Sequence, residues 1–223
     1  MIGEGTELHE PIRSALGCSP DVARAVAVHA TARHYNAQAQ ILRAGDRASH
    51  AWLVMVGRAQ ALAYTVDGQM VLVHEYLVGD LFGAVGPADA WPVEAEVIAT
   101  EPTSAACVPA ADFILLLDRH GSLGLLLVRS LLGQLRATSM RMVNRTTLSA
   151  PGRVYAELLR LARLGDGTTI RPAPVHAALA VSVQSTRETV SRAVNAIERR
   201  GIVRREDDRL IIVAAQRLEE MVI

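Results

Sequence analysis

The residues best placed to do chemistry are Arg187, Glu188, Ser191 and Arg192, and that chemistry is hydrogen bonding to base edges rather than catalysis. A guanidinium can bond guanine bidentately, a carboxylate can accept from cytosine, and a helix N-terminus attracts phosphate. All four lie in the run Ser185-Thr186-Arg187-Glu188-Thr189-Val190-Ser191-Arg192. Ser185 and Glu188 have the S-x-x-E spacing of a capping box, which predicts a helix beginning there with Ser185 as its cap. Val190, Val194 and Ile197 recur at helical spacing and would face a core, leaving Arg187, Glu188, Ser191 and Arg192 on the outer side. The plain alternative is an ordinary solvated face, so the flanking elements have to decide.

Upstream, after Pro172 and Pro174, residues 175–182 read as a short helix anchored by Leu179 and Val183. Downstream, Gly201 stops the long helix, and Ile202-Val203 and Leu210-Ile211-Ile212-Val213 flank Glu206-Asp207-Asp208 as a two-strand hairpin. Two helices joined by a tight turn and followed by a wing place the second helix in a DNA major groove, commonly as one half of a symmetric dimer.

At these residues the chain resembles the cyclic-AMP receptor protein / FNR (CRP/FNR) family of bacterial transcription regulators, and the resemblance extends over nearly all 223 positions. The resemblance implies base contacts for Arg187, Glu188 and Arg192, and DNA-backbone contacts for Thr186, Thr189 and Ser191. Arg187 is similar to the receptor-protein branch, with a TGTGA-type half-site, whereas Ser191 is similar to the FNR branch. Gln184 departs from the family turn, which usually carries Gly; a left-handed backbone would cost a Gln about 1 kcal/mol more, which predicts an adjusted turn.

Composition fits a soluble globular chain of one or two domains, with 50% hydrophobic and 21% charged residues. All 23 basic residues are Arg. No apolar run approaches the roughly 18 residues that span a bilayer, and the early Glu residues do not suit a secretion signal; a cytoplasmic protein with no membrane partner is expected. Net charge is zero, but residues 1–148 hold 11 Arg and 14 acids while residues 149–223 hold 12 Arg and 9 acids. Six Arg against two Glu fall within 185–205, so positive charge gathers where DNA would dock.

The N-terminal half reads as a meander of short strands. Ala51 to Val56 leads to Gly57, and Gln60 to Val66 leads through Asp67-Gly68 into Met70 to Tyr76, a hairpin. Val78 to Gly83, Glu96 to Thr100, and a strand ending at Cys107-Val108-Pro109 continue the pattern before a helix begins. The set is similar to the family's double-stranded β-roll, with Gly45-Asp46 and Gly57 at its turns. Cyclic-nucleotide-binding members of that family use a G-E-L segment on the ribose and an Arg-Ser pair on the phosphate. The resemblance puts Gly79-Asp80-Leu81 at the first and Val93-Glu94 at the second, so the cation is missing and an anion stands nearby. A charge-assisted Arg–phosphate bond contributes roughly 1.5–3 kcal/mol, which argues against cyclic AMP and leaves another effector, cyclic di-GMP included, open. Trp91 offers a ring for stacking on a base, or is simply core or rim.

Residues 118–147 read as one long helix whose Val128, Leu132, Leu135, Ser139, Met142 and Thr146 step by four and three, the spacing of a coiled-coil seam in a parallel homodimer. Leu125, Leu126, Leu127 and Leu131 would then satisfy the roll. Thr138-Ser139 coincides with the pair that, by the resemblance, contacts adenine from the dimer helix; a polar seam residue also sets register without any ligand. The expected fold class is α+β: a cyclic-nucleotide-binding-like β-roll over 1–117, a dimerisation helix over 118–148, and a winged helix-turn-helix over 149–223. A hinge is expected at residues 148–152.

No cofactor is expected. Cys18 and Cys107 fall short of the four ligands an iron–sulfur cluster needs, and the seven His show no ligand spacing. No nucleophile–base pair or phosphate-cradling loop appears, and Gly165-Asp166-Gly167 is a turn, so an enzyme is not expected. The partners expected are double-stranded DNA, a second copy of the chain, RNA polymerase, and a small-molecule effector of unknown identity. The competing reading is a ligand-sensing dimer whose winged domain binds proteins.

Overall fold

The computed structural model describes residues 4–84 and 93–222; Trp91 lies outside them. The chain divides into two compact units, Met1–Thr138 and Ser139–Ile223.

The first unit opens with helices α1 (Glu4–Leu16) and α2 (Pro20–His29), which the strand-based reading of this half did not anticipate. Strands follow at β1 (Thr31–Tyr35), β2 (Gln40–Leu42), β3 (His50–Val56), β4 (Ala59–Tyr64), β5 (Met70–Tyr76), β6 (Leu81–Gly83), β7 (Glu96–Ala99) and β8 (Thr103–Pro109). They form two antiparallel four-stranded sheets, ordered β1-β8-β3-β6 and β2-β7-β4-β5. The expected hairpin turns between β4 and β5, where Thr65 and Gln69 pair and Gly68 takes a φ of 75°.

Strand β3 shows why the first sheet is apolar on both sides. Successive side chains alternate faces. Ala51, Leu53 and Met55 pack with the helices, whereas Trp52 and Val54 enter the space between the sheets. Trp52 stacks on Phe82 with centroids 5.9 Å apart, and Phe82 stacks on Tyr76 at 4.6 Å. The protein's own rings therefore fill part of the roll interior, and among the described residues the Trp52 indole N–H, buried there, has no acceptor.

Helix α3 (Ala110–Arg119) ends at His120, and α4 (Gly121–Thr147) starts afresh. The long helix expected from residue 118 thus starts at Gly121, with residues 118 and 119 closing α3: His120 leaves the helical region at φ −126°, ψ 84°, although its N–H still closes on Leu116. Leu123 and Leu127 are the fully packed roll-facing residues of α4, with Leu126 beside them. Leu125 and Leu131, expected on the same side, are about half exposed, because they lie off the row that Leu123 and Leu127 define. That row continues through Ser130, whose hydroxyl donates to Asp80 (3.1 Å), and Gln134, whose amide donates to the Leu81 carbonyl (3.1 Å). The seam residues Val128, Leu132, Leu135 and Met142 are exposed, and the boundary between the two units falls inside α4.

In the second unit, α4 closes at Leu148, whose N–H donates to Asn144. Ser149 caps α5 (Ala150–Arg163) by accepting from the Gly152 N–H at 3.1 Å. There follow β9 (Thr169–Ile170), α6 (His176–Ser182), α7 (Arg187–Arg199), β10 (Val203–Glu206), β11 (Arg209–Ile212) and α8 (Ala215–Glu220). The wing has a third strand that the hairpin reading left out, because β9 is two residues long and pairs with β11 through Thr169 and Ile170. One core unites Val154, Leu158, Leu179, Val190, Val194, Ile197, Ile202, Leu210 and Leu218.

Two predictions follow from local geometry. A Cβ on Gly152 would meet the Val222 carbonyl at 2.6 Å, so Gly152→Ala should destabilise the protein by about 1–3 kcal/mol, the usual cost of overpacking, despite alanine's better helix propensity. A thermal melt, with amide exchange of α8 as local readout, checks this; an unchanged melting temperature refutes it. In the turn before β9, Asp166 accepts from the N–H groups of Thr168 (2.8 Å) and Thr169 (2.6 Å). The Thr168 N–H first, then the N–H and the hydroxyl of Thr169, pull its pKa down to about 2. A depressed carboxylate contributes stability above its unfolded pKa and loses it as pH falls through the folded value. The melting-temperature gap between the natural protein and Asp166→Ala should therefore be full at pH 6 and close between about pH 4 and pH 2.

Candidate nucleic-acid interface

Helix α7 presents one face to the core and the other to solvent. Val190, Ala193, Val194 and Ile197 are buried, while Arg187, Glu188 and Arg192 are exposed and Ser191 and Thr189 are half-buried. The cap is Thr186, one residue later than the expected Ser185: its hydroxyl oxygen accepts from the Thr189 N–H at 3.2 Å. Ser185 is drawn into the preceding turn instead, its N–H donating to the Ala180 carbonyl at 2.9 Å.

That bond explains the Gln184 backbone. With Gln184 N–H on Val181 and Ser185 N–H on Ala180, α6 ends in a Schellman motif, which requires a left-handed residue between cap and exit. Gln184 supplies it at φ 49°, so the turn is not adjusted as the sequence suggested. Helix α7 ends in the same motif, with Ile202 N–H on Ile197 and Gly201 at φ 64°. Gly fits that conformation without strain, whereas Gln bears about 1 kcal/mol or more.

The outward side chains are organised before any partner arrives. The Thr186 hydroxyl lies 3.1 Å from the Thr189 hydroxyl, which accepts from the Arg192 guanidinium at 3.3 Å. Glu188 is held below the ordinary carboxylate range by its own backbone N–H, then by the Thr186 hydroxyl, with smaller help from Arg187 and Arg192. It is therefore an ionised acceptor at neutral pH. Thr186 and Thr189, expected only at the DNA backbone, thus also build the helix start and steady Arg192.

Two of the three acids at the wing tip are paired. Glu206 pairs with Arg204 (2.7 Å) and Arg209 (2.8 Å), and Asp208 pairs with Arg171 (2.8 Å). Among the described residues, Arg187, Arg192, Arg199, Arg200 and Arg205 enter no ion pair. His176, at the start of α6, is kept neutral by burial first and then by the fields of Arg205 and Arg187. Helix α7 and the wing therefore bring positive charge to the same neighbourhood. Sequence reading did not single out His176, because only the folded wing brings Arg205 near it.

The candidate effector residues are less united. Asp80 accepts from the Leu77 N–H (2.9 Å) as well as from Ser130, and burial pushes its carboxyl pKa up. Both of its oxygens are thus engaged inside the fold. Leu81 lends its carbonyl to Gln134. Val93 exchanges backbone bonds with the turn at Gly45 and Asp46, and Glu94 is exposed. Thr138 stands one helical turn beyond Gln134, and Thr138 and Ser139 are both exposed. Among the described residues, no group of His, Cys, Asp and Glu is arranged to hold a metal, and no helix is long and apolar enough to cross a membrane.

Residues 32–120 match the cyclic nucleotide-binding domain family, and residues 152–221 match the Crp-like helix-turn-helix domain family. The chain is 28% identical over 177 residues to the cyclic AMP receptor protein of Thermus thermophilus, covering 79% of this chain and 81% of that one. Its fold is similar to FixK2 from Bradyrhizobium japonicum, with a TM-score of 0.75, 22% identity, and coverage of 86% of this chain and 96% of that one. It is also similar to CLP, a c-di-GMP-responsive global regulator from Xanthomonas campestris, with a TM-score of 0.76, 15% identity, and coverage of 87% and 99%. A capped, outward-facing recognition helix, a wing and a double-stranded roll thus occur together, and the chain belongs to the CRP/FNR family of DNA-binding transcription regulators.

Proposed function

We propose that this regulator binds a palindromic operator as a homodimer, reads base edges with Arg187, Glu188 and Arg192, and is not controlled by cyclic AMP. The carrying observation is the start of α7: three functional side chains exposed opposite Val190, Val194 and Ile197, with the helix capped by Thr186 and Arg192 steadied by Thr189. Thr186, Thr189 and Ser191 serve the phosphate backbone beside them.

Support for the dimer comes from α4. It turns Leu123, Leu127, Ser130 and Gln134 to the roll and leaves a second apolar row, Val128, Leu132, Leu135 and Met142, about half exposed or more. Exposed apolar ridges of this kind mark protein contacts, and the four-and-three spacing suits a parallel coiled coil. Two copies would then set their recognition helices about 34 Å apart, one turn of DNA. RNA polymerase and a cytoplasmic setting follow from the regulatory role.

The case against cyclic AMP rests on charge. Asp80 is spent on Leu77 and Ser130, and Val93-Glu94 brings an anion where the resemblance puts a phosphate-neutralising Arg. An effector at Asp80, Leu81, Val93, Glu94, Thr138 and Ser139 would need different chemistry, and a cyclic dinucleotide stays within that reading.

The test is anisotropy of a labelled TGTGA-type palindrome with the purified protein at fixed salt, with and without cyclic AMP and cyclic di-GMP. Tight binding indifferent to cyclic AMP is expected; binding that requires it overturns the pocket reading. Arg192→Ala should weaken operator binding by about 1–3 kcal/mol per half-site. If Arg187, Glu188 and Arg192 serve a protein partner instead, their replacement will leave DNA binding unchanged.

A further inference from the structure

Arg153 lies in the first turns of α5, and its half-buried guanidinium makes three hydrogen bonds, all to backbone carbonyls. Nε donates to Val183 (2.9 Å), Nη2 to Gln184 (3.3 Å) and Nη1 to Leu148 (3.2 Å). Val183 and Gln184 form the exit of α6, the turn of the helix-turn-helix. Leu148 is where α4 closes. One planar cation thus joins the ends of two helices, and each end directs the negative pole of its dipole at it.

The turn it holds is the strained one. Gln184 is left-handed, and among the described residues its buried side-chain oxygen has no partner. Strained conformations persist where their surroundings over-determine them, and here Arg153 takes the carbonyls of the two peptides that flank the Gln184 Cα. Thr186, two residues on, caps α7, so the placing of Gln184 sets where Arg187 and Arg192 point.

We propose that Arg153 is a specificity-determining positioning residue: through the turn at Val183 and Gln184 it ties the recognition helix to the end of α4, without touching DNA. This rests on the DNA-reading function proposed above. A shift of the Leu148 carbonyl is handed through a rigid fork to the start of α7, and a flexible single ammonium would not transmit it.

The experiment uses the full chain and the Arg153→Lys variant, which keeps the charge but loses the fork. Two labelled duplexes are titrated at one salt concentration: the best-bound sequence selected from a random pool by the natural protein, and a scrambled version of it. Operator affinity of Arg153→Lys is expected to fall by about tenfold, with scrambled-duplex affinity within about twofold, since phosphate attraction depends on charge and discrimination on geometry. Equal discrimination by variant and natural protein overturns the proposal. The double variant Arg153→Lys/Gln184→Gly relaxes the left-handed turn and supplies a folded protein should the single variant melt. If it regains full discrimination, Arg153 merely restrains a strained turn and the positioning role is wrong; if it stays folded and undiscriminating, the role stands. Should the natural protein itself fail to distinguish any selected duplex from its scrambled version, the DNA-reading function falls and this role with it.

Discussion

A helix can present side chains to a base edge only if its opposite face is fixed, and the packing of Val190, Val194 and Ile197 into the second unit's core meets that demand. Each of these residues is at most 2% exposed. Around them the other elements acquire their purposes: α5 and α6 supply Val154, Leu158 and Leu179, and the wing supplies Ile202, Leu210 and Ile212. Burial holds the helix, and the cap and Thr189 then order what it shows. The energetic division is plain: apolar area gives the stability, and a few exposed polar atoms are left for the proposed contacts to DNA.

The first unit solves a different problem. Its sheet β1-β8-β3-β6 is packed on both faces, so it needs helices on one side and a second sheet on the other. Small side chains make this possible: Ala51, Ala59, Ala61, Ala105 and Ala106 let strands and helices approach closely. The large rings of Trp52, Phe82 and Tyr76 then take up the remaining space. Helix α4 attaches to this body through polar as well as apolar residues, since Ser130 and Gln134 reach Asp80 and Leu81.

Much of this was legible from residue order. The Asp67-Gly68 turn, the strand from Ala51 to Val56, the wing and the buried side of α7 all follow from period and turn chemistry, which act over a few residues. What escaped depends on partners distant in sequence. Helices α1 and α2 carry apolar residues that become a core only against β3 and β8. The cap at Thr186 instead of Ser185 was decided by Ala180, whose carbonyl claims the Ser185 N–H. Leu131 and Leu123 are both simply Leu in a long helix; the roll's placement selects Leu123. Arg153 was invisible because its three acceptors are backbone carbonyls, which have no sequence signature at all.

The close seating of Val222 on Gly152 makes the far end of the second unit part of its foundation. The start of α5 is completed by a residue seventy positions later, and Leu218, wholly buried, closes the same core. A chain shortened before Leu218 keeps every arginine of α7 and loses part of the floor beneath them, so its positive charge survives while the packing that fixes the helix does not.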